Sequence, residues 1–201
     1  VKHYRRCGVE EQVYLIKTAE EAEKLWKRLR TEHWESAILC LHEDLWNLDV
    51  RKKILPGLYQ YKIQDIELHW VEPETMYLRV MTSIGGELQL EYYLRPEKIV
   101  FEENRHTIRM SYIEEAQASG LGGLLGGFAK SASGKTYLQM AVQNIPMIRA
   151  DGQRVEFCLD AWSDFQKVCQ WTYEDKTLGK DLDLESLGML NRCFCVRARW
   201  R

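Results

Sequence analysis

The sequence predicts an α+β fold, a curved antiparallel β-meander packed against two or three helices. Two observations carry this. Between residues 59 and 112 apolar side chains recur at every second position and are separated by short turns, as in an antiparallel sheet with one buried face. The first 58 residues hold two stretches of helical apolar spacing, and the turns after them are too short for the crossovers of a parallel sheet. Composition agrees: 201 residues, 45% hydrophobic and 29% charged, exclude a collagen-like, rod-like or mainly disordered chain. Twenty-eight Lys and Arg against 30 Asp and Glu give a formal net charge of -2, so no nucleic-acid partner is predicted. No run approaches 18 apolar residues, the length of a spanning helix.

The elements follow in order, as one domain over 1–201. A mainly helical part (1–58) begins with a short strand at Val13-Tyr14-Leu15-Ile16. Thr18 with Glu21 three residues on forms a capping box, and Ala22, Leu25, Trp26 and Leu29 make one helical face. Ala37 to Leu41 is a second strand, which completes a β-α-β unit. A second helix is expected from about Glu43 to Leu55, with Leu45, Leu48 and Ile54 inward, stopped by Pro56-Gly57. The sheet part (59–160) alternates through Ile66, Leu68 and Trp70, then Leu78 and Val80, then Leu88, Leu90, Tyr92 and Leu94. Ile99 and Phe101, then Ile108, Met110 and Tyr112, bring the meander to five strands. A Gly-rich insert (119–135) interrupts it, and Asp151-Gly152 marks a hairpin. The last part (161–201) reads as a helix capped by Asp160, a polar loop from Tyr173 to Asp183, and a terminal strand. In that strand Phe194, Val196, Ala198 and Trp200 share one face and Arg197, Arg199 and Arg201 the other.

Several groupings carry possible chemistry. Ala129-x4-Gly134-Lys135-Thr136 fits a relaxed phosphate-binding loop, which would make a nucleotide-binding enzyme. Its surroundings argue for a chance match, because no buried strand leads into it and a hairpin follows. Leu121, Leu124, Leu125 and Phe128 among the glycines suit a lid over an apolar cavity, a loop touching a membrane surface, or a tightly packed turn. The three terminal arginines suit anion binding or pairing with a carboxylate row such as Glu87, Gln89 and Glu91. Six cysteines include Cys193 and Cys195 on one face of a strand, a pattern found in soft-metal and redox sites but more commonly in buried thiols. No catalytic residue, metal set or cofactor is predicted, although a hydrolase using His42 or His106 with a cysteine stays open.

The order Leu41 to Asn47, Ile63 to Leu68, the meander, the glycine-rich insert, Asn144-Ile145-Pro146 and Asp151 to Val155 resembles single-unit bacterial relatives of tubular lipid-binding (TULIP-like) domains. That resemblance covers about residues 41–160 and implies a groove for acyl chains. Leu138 to Cys169 is also similar to the end of a pleckstrin-homology-like barrel, a group whose members often bind phospholipid headgroups or peptides. The expectation is therefore a non-enzymatic binding or accessory protein. Its partner would be a lipid-like ligand, lined by Trp70, Leu78 and Leu90, or a membrane surface. The alternative is a protein-interaction module with a filled core. The lipid-type resemblance suggests the cell envelope, whereas cysteines without a framework spacing suggest a reducing interior.

Overall fold

The computed structural model describes residues 2–6, 9–71, 73–83, 87–113, 117–119, 145–151 and 153–201. Among these the fold is α+β and mostly antiparallel, and neither main sheet closes into a barrel. The insert residues Leu121, Leu124, Leu125 and Phe128, the loop from Ala129 to Thr136, and Gly85-Gly86 lie outside the described residues.

The first sheet joins the two ends of the chain. Its strands are β1 (Lys2–Arg6), β2 (Val9–Ile16), β3 (Ser36–His42), β13 (Leu182–Leu190) and β14 (Cys193–Trp200), in the order β1-β2-β3-β14-β13. Strands β2 and β3 are parallel and joined by helix α1 (Ala19–Leu29), the β-α-β unit expected from sequence. The Thr18 hydroxyl accepts from Glu21 N–H at 3.2 Å, and the Glu21 carboxylate accepts from Lys17 N–H at 2.7 Å. Of the orphan amides at the helix start, Glu21 N–H is thus satisfied, and Ala19 N–H donates to the Asp49 carboxylate at 2.6 Å. Leu25, Trp26 and Leu29 of α1 pack on Tyr14, Ala37 and Ala198, the inner face of this sheet.

The second sheet is built from β4 (Ile63–Val71), β5 (Thr75–Thr82), β6 (Leu88–Glu102), β7 (Arg105–Tyr112), β9 (Ile148–Ala150) and β10 (Arg154–Cys158), in the order β4-β5-β6-β7-β10-β9. Strand β8 (Gln117–Ser119) pairs with Gln89 to Glu91 of β6. The predicted alternation holds: Ile66, Leu68, Leu78, Val80, Leu88, Leu90, Tyr92, Leu94 and Met110 are all buried. They pack against Met189, Phe194 and Val196 of the first sheet, so the two inner faces fill one another. The Asp151 carboxylate accepts from Gln153 and Arg154 N–H, both at 2.7 Å, which shapes the turn between β9 and β10.

Several expectations are corrected. The first 58 residues supply β1 in addition to the two strands and the helices expected there. Leu48 is 51% exposed, because residues Leu45–Val50 wind as a wider π-helical turn and rotate it outward. Helix α2 (Arg51–Leu58) continues through Pro56, and the chain turns only at Lys62, which adopts a left-handed conformation. The separate strand expected at Ile99 and Phe101 is the second half of β6, a 15-residue strand with a register shift between Pro96 and Lys98. That shift changes which residue parity faces inward, so one strand reads as two. Asp160 caps no helix. The helix α3 (Ser163–Cys169) starts after Trp162, and the Asp160 carboxylate accepts from His106 N–H at 2.7 Å. The polar loop contains the hairpin β11 (Thr172–Tyr173) and β12 (Lys176–Thr177), then helix α4 (Leu178–Asp181).

Candidate functional site

The outer face of the first sheet divides into two halves, and the strand register shows how. One half holds the rows Ser36-Arg199-Asp183 and Val13-Ile38-Arg197-Glu185. Arg197 makes a two-pronged contact with Glu11 (2.7 and 3.2 Å) and reaches Glu185 at 2.7 Å. Arg199 pairs with Asp183 at 2.7 Å. The Arg201 guanidinium lies 3.8 Å from Asp183 and donates to the carbonyls of Phe101 at 2.5 Å and Lys180 at 3.3 Å. The arginine stripe is thus matched by carboxylates of its own sheet, whereas Gln89 and Glu91 lie in β6 of the other sheet. The Arg197 contact, together with the Ser36 hydroxyl, holds the Glu11 carboxyl below the usual carboxylate range.

The other half is apolar and carries thiols. Its rows are Leu15-Cys40-Cys195-Gly188 and His42-Cys193-Leu190. Leu15 and Leu190 are 52% and 58% exposed, Cys40 is half-buried, and Cys193 and Cys195 are buried. The sequence places Cys193 and Cys195 on one face, and they do share it. What the sequence misses is that the neighbour of Cys195 is Cys40, whose Sγ lies 2.9 Å away. Register between strands so distant in sequence has no local signal.

Beside this half, Glu43 links the two sheets. Its carboxylate accepts from Trp70 N–H (3.1 Å) and from the Arg192 guanidinium Nε (2.7 Å), with a further short contact to Arg192 Nη2. His69 Nδ1 is 3.2 Å away. Burial pushes the Glu43 carboxyl up, but the bonds from Arg192, His69 and Trp70 together outweigh it and hold the group below the ordinary carboxylate range. The role is positional. Strand β4 is an edge strand, and its outward amides are taken by side chains: Ile66 N–H by Asp65, Leu68 N–H by Asn47 and Trp70 N–H by Glu43. Covering an edge in this way blocks strand addition there. The same carboxylate secures Arg192, which with Asn191 occupies left-handed backbone in the β13–β14 turn. Of the pair His42 and Asp44 seen in the sequence, His42 Nδ1 accepts from Asp44 N–H at 3.2 Å.

A third cluster has the residue types of a thiol hydrolase. His106 is buried, with Nδ1 2.5 Å from Asp160 and Nε2 2.7 Å from the Gly179 carbonyl. Cys169 Sγ is 4.0 Å from that same Nε2. Both ring nitrogens are engaged elsewhere, and burial pushes the Cys169 thiol up to about 11. At neutral pH that thiol stays protonated and is a poor nucleophile. Phe101 and Phe165 meet the imidazole edge-on, as packing partners.

Of the residues expected to line a ligand groove, Leu78 and Leu90 lie inside the core at 4% and 0% exposure. Trp70 is half-buried and packs on Phe194 at 5.3 Å between ring centroids. Two surface pockets lie elsewhere. One, of about 290 Å³, is lined by Arg109, Arg149, Arg154, Asp151 and Glu156 among others. The second, of about 340 Å³, lies among His33, Trp34, Tyr173, Lys176 and Trp200. No group of His, Cys, Asp and Glu suited to a metal ion occurs among the described residues. No helix among them is long and apolar enough to cross a membrane.

The class these features define is an α+β protein with two packed sheets. Comparison with protein-family models, with curated proteins and with solved structures found no match for the chain.

Proposed function

We propose that this protein is a non-enzymatic binding protein with a filled core, and that it presents the thiol-bearing half of its first sheet to an apolar surface on a protein partner. The exposure of Leu15 and Leu190, on a face whose reverse side is fully packed, supports this reading more than any other observation. Leu15 on β2 and Leu190 on β13 flank the thiols on this face, and exposed apolar side chains of this kind are what an interface covers. The neighbouring half carries its charges already paired, so it suits the polar rim of such an interface.

The alternative is a lipid-like ligand in a groove of a curved meander, as the tubular lipid-binding resemblance implies. The interlocked inner faces weigh against it among the described residues, since Leu90, Tyr92 and Leu94 are each 0% exposed. The test is native mass spectrometry of the purified chain, an organic extract of the same sample, and binding of an apolar fluorescent dye. The expected result is a bare protein mass. Dye binding is expected to fall in the Leu15→Glu/Leu190→Glu double variant at unchanged Tm. A stoichiometric adduct of lipid mass, released on denaturation, would replace this reading with the lipid one.

A further inference from the structure

The fold brings two thiols together from opposite ends of the chain. Cys40 in β3 and Cys195 in β14 are 155 residues apart in sequence and directly opposed in antiparallel register. Their sulfurs are 2.9 Å apart, with no other group between them. Opposed residues of antiparallel strands have Cα separations of about 4.5–5.5 Å, inside the range of about 4.4–6.8 Å that a disulfide accepts. Small side-chain rotations are enough to bring the sulfurs to bonding distance.

We propose that Cys40 and Cys195 form a thiol–disulfide exchange site whose co-substrate is a low-molecular-weight disulfide such as oxidised glutathione. In the first step the Cys40 thiolate attacks one sulfur of the small disulfide. Its S–S bond breaks, one small thiolate leaves and takes up a proton, and Cys40 carries a mixed disulfide. In the second step Cys195 loses its proton to water and its sulfur attacks Cys40 Sγ, expelling the second small thiolate, which is protonated in turn. The protein loses two hydrogen atoms and the small disulfide gains them as two thiols.

The surroundings assign the roles. Cys40 is half-buried whereas Cys195 is buried, at 7% exposure, so the incoming disulfide reaches Cys40 first. The two thiols share a hydrogen bond in which either sulfur can donate. That bond holds the Cys40 thiol below its ordinary value, and the same bond together with burial pushes Cys195 up. An attacking thiol and a resolving thiol differ in this sense. Cys193, on the same face, is a bystander: its Sγ lies 3.4 Å from the Asn191 carbonyl, and burial pushes its thiol up to about 11. The exchange site does not depend on the partner-binding reading, because it stands on the strand register and the sulfur contact alone.

The test equilibrates the full chain with mixtures of reduced and oxidised glutathione, quenches with an alkylating agent while the protein is native, and maps tryptic peptides. The expected product links peptide 31–51, which holds Cys40, to peptide 193–197, which holds Cys193 and Cys195. Fragmentation of the linked pair places the bond on Cys195 without need of a variant. The link is expected to persist in Cys193→Ser and to vanish in Cys195→Ser. Closure is expected to raise Tm by roughly 5 °C or more, because a long loop is closed in the unfolded chain. The proposal is overturned if both cysteines are alkylated at every glutathione ratio. It is equally overturned if Cys40 stops at a mixed disulfide with glutathione, or if the bond maps to Cys193 or Cys7.

Discussion

The two sheets reach the same packed interior by opposite routes. The second sheet is assembled from neighbours in sequence, with β4, β5, β6 and β7 joined by short turns. The first sheet is assembled from the chain's two ends, with β3 beside β14 although more than 150 residues separate them. The second sheet turns one face to a core and shows its pattern openly. The first sheet packs one face, and the thiols of β14 on its other face are shielded from solvent too, so β14 has Cys193, Phe194, Cys195 and Val196 buried in succession. A strand buried on both sides loses its period of two. Local pairing makes a sheet legible and cheap to nucleate, whereas distant pairing needs side-chain fixtures to hold its register. In this molecule those fixtures are Glu43, the Glu11–Arg197–Glu185 bridge and the opposed thiols.

This contrast can be broken in several ways. The largest effect is expected in the second sheet, where Leu90→Ala empties a site of 0% exposure. A cost of about 3 kcal/mol is expected in urea unfolding. In the first sheet, Glu43→Ala leaves the Trp70 amide and Arg192 without their acceptor and is expected to cost about 2 kcal/mol. A Glu43→Ala loss below about 0.5 kcal/mol would mean that the two sheets are held together by apolar packing alone. Gly179→Ala is expected to cost about 1–2 kcal/mol, because an added Cβ would lie 2.7 Å from Cys169 Cβ beside the His106 cluster. Differential scanning calorimetry would register it as a lower Tm. Arg197→Ala removes a bridge that is partly open to water, and about 1 kcal/mol is the expected loss. Leu15→Ser, at an exposed position of the same outer face, is expected to change stability by less than about 0.5 kcal/mol.

The pH response sharpens the comparison further. Glu11 and Glu43 are both held below their ordinary range in the folded protein. A depressed folded value means that each contributes stability above the unfolded pKa, near 4.3, and loses it as pH falls through the folded value. The urea midpoint is therefore expected to fall as pH is lowered from about 5, and to fall less steeply in Glu43→Gln. An unchanged slope in Glu43→Gln would remove Glu43 from the acid response.

Legibility followed local physics. The capping box of Thr18 and Glu21 and the one-sided α1 could be read because each interaction spans less than a helical turn. The Asp151 turn could be read for the same reason. Strand β13 could not. Leu182 and Leu184 face inward, but a register shift between Ser186 and Gly188 changes the parity before Met189 returns to the core. The Pro96 shift in β6 hid the unity of that strand in the same manner. A bulge inserts one residue, and a period of two cannot survive that insertion. The site was less legible than the fold, since Cys40 meets Cys195, and Glu43 meets Arg192, only after β3 and β14 pair.

What the sequence alone determined is the α+β class, the β-α-β start, the inward rows of the meander and the shared face of Cys193 and Cys195. These rest on alternation, helical spacing and capping, which act over a few residues. Only the tertiary structure decided that Cys40 faces Cys195, that Arg197 is claimed by Glu11 and Glu185, and that Leu78 and Leu90 fill a core. Each depends on which strands lie side by side, and that choice is made by burying two inner faces against one another, a collective balance that no local stretch of residues encodes.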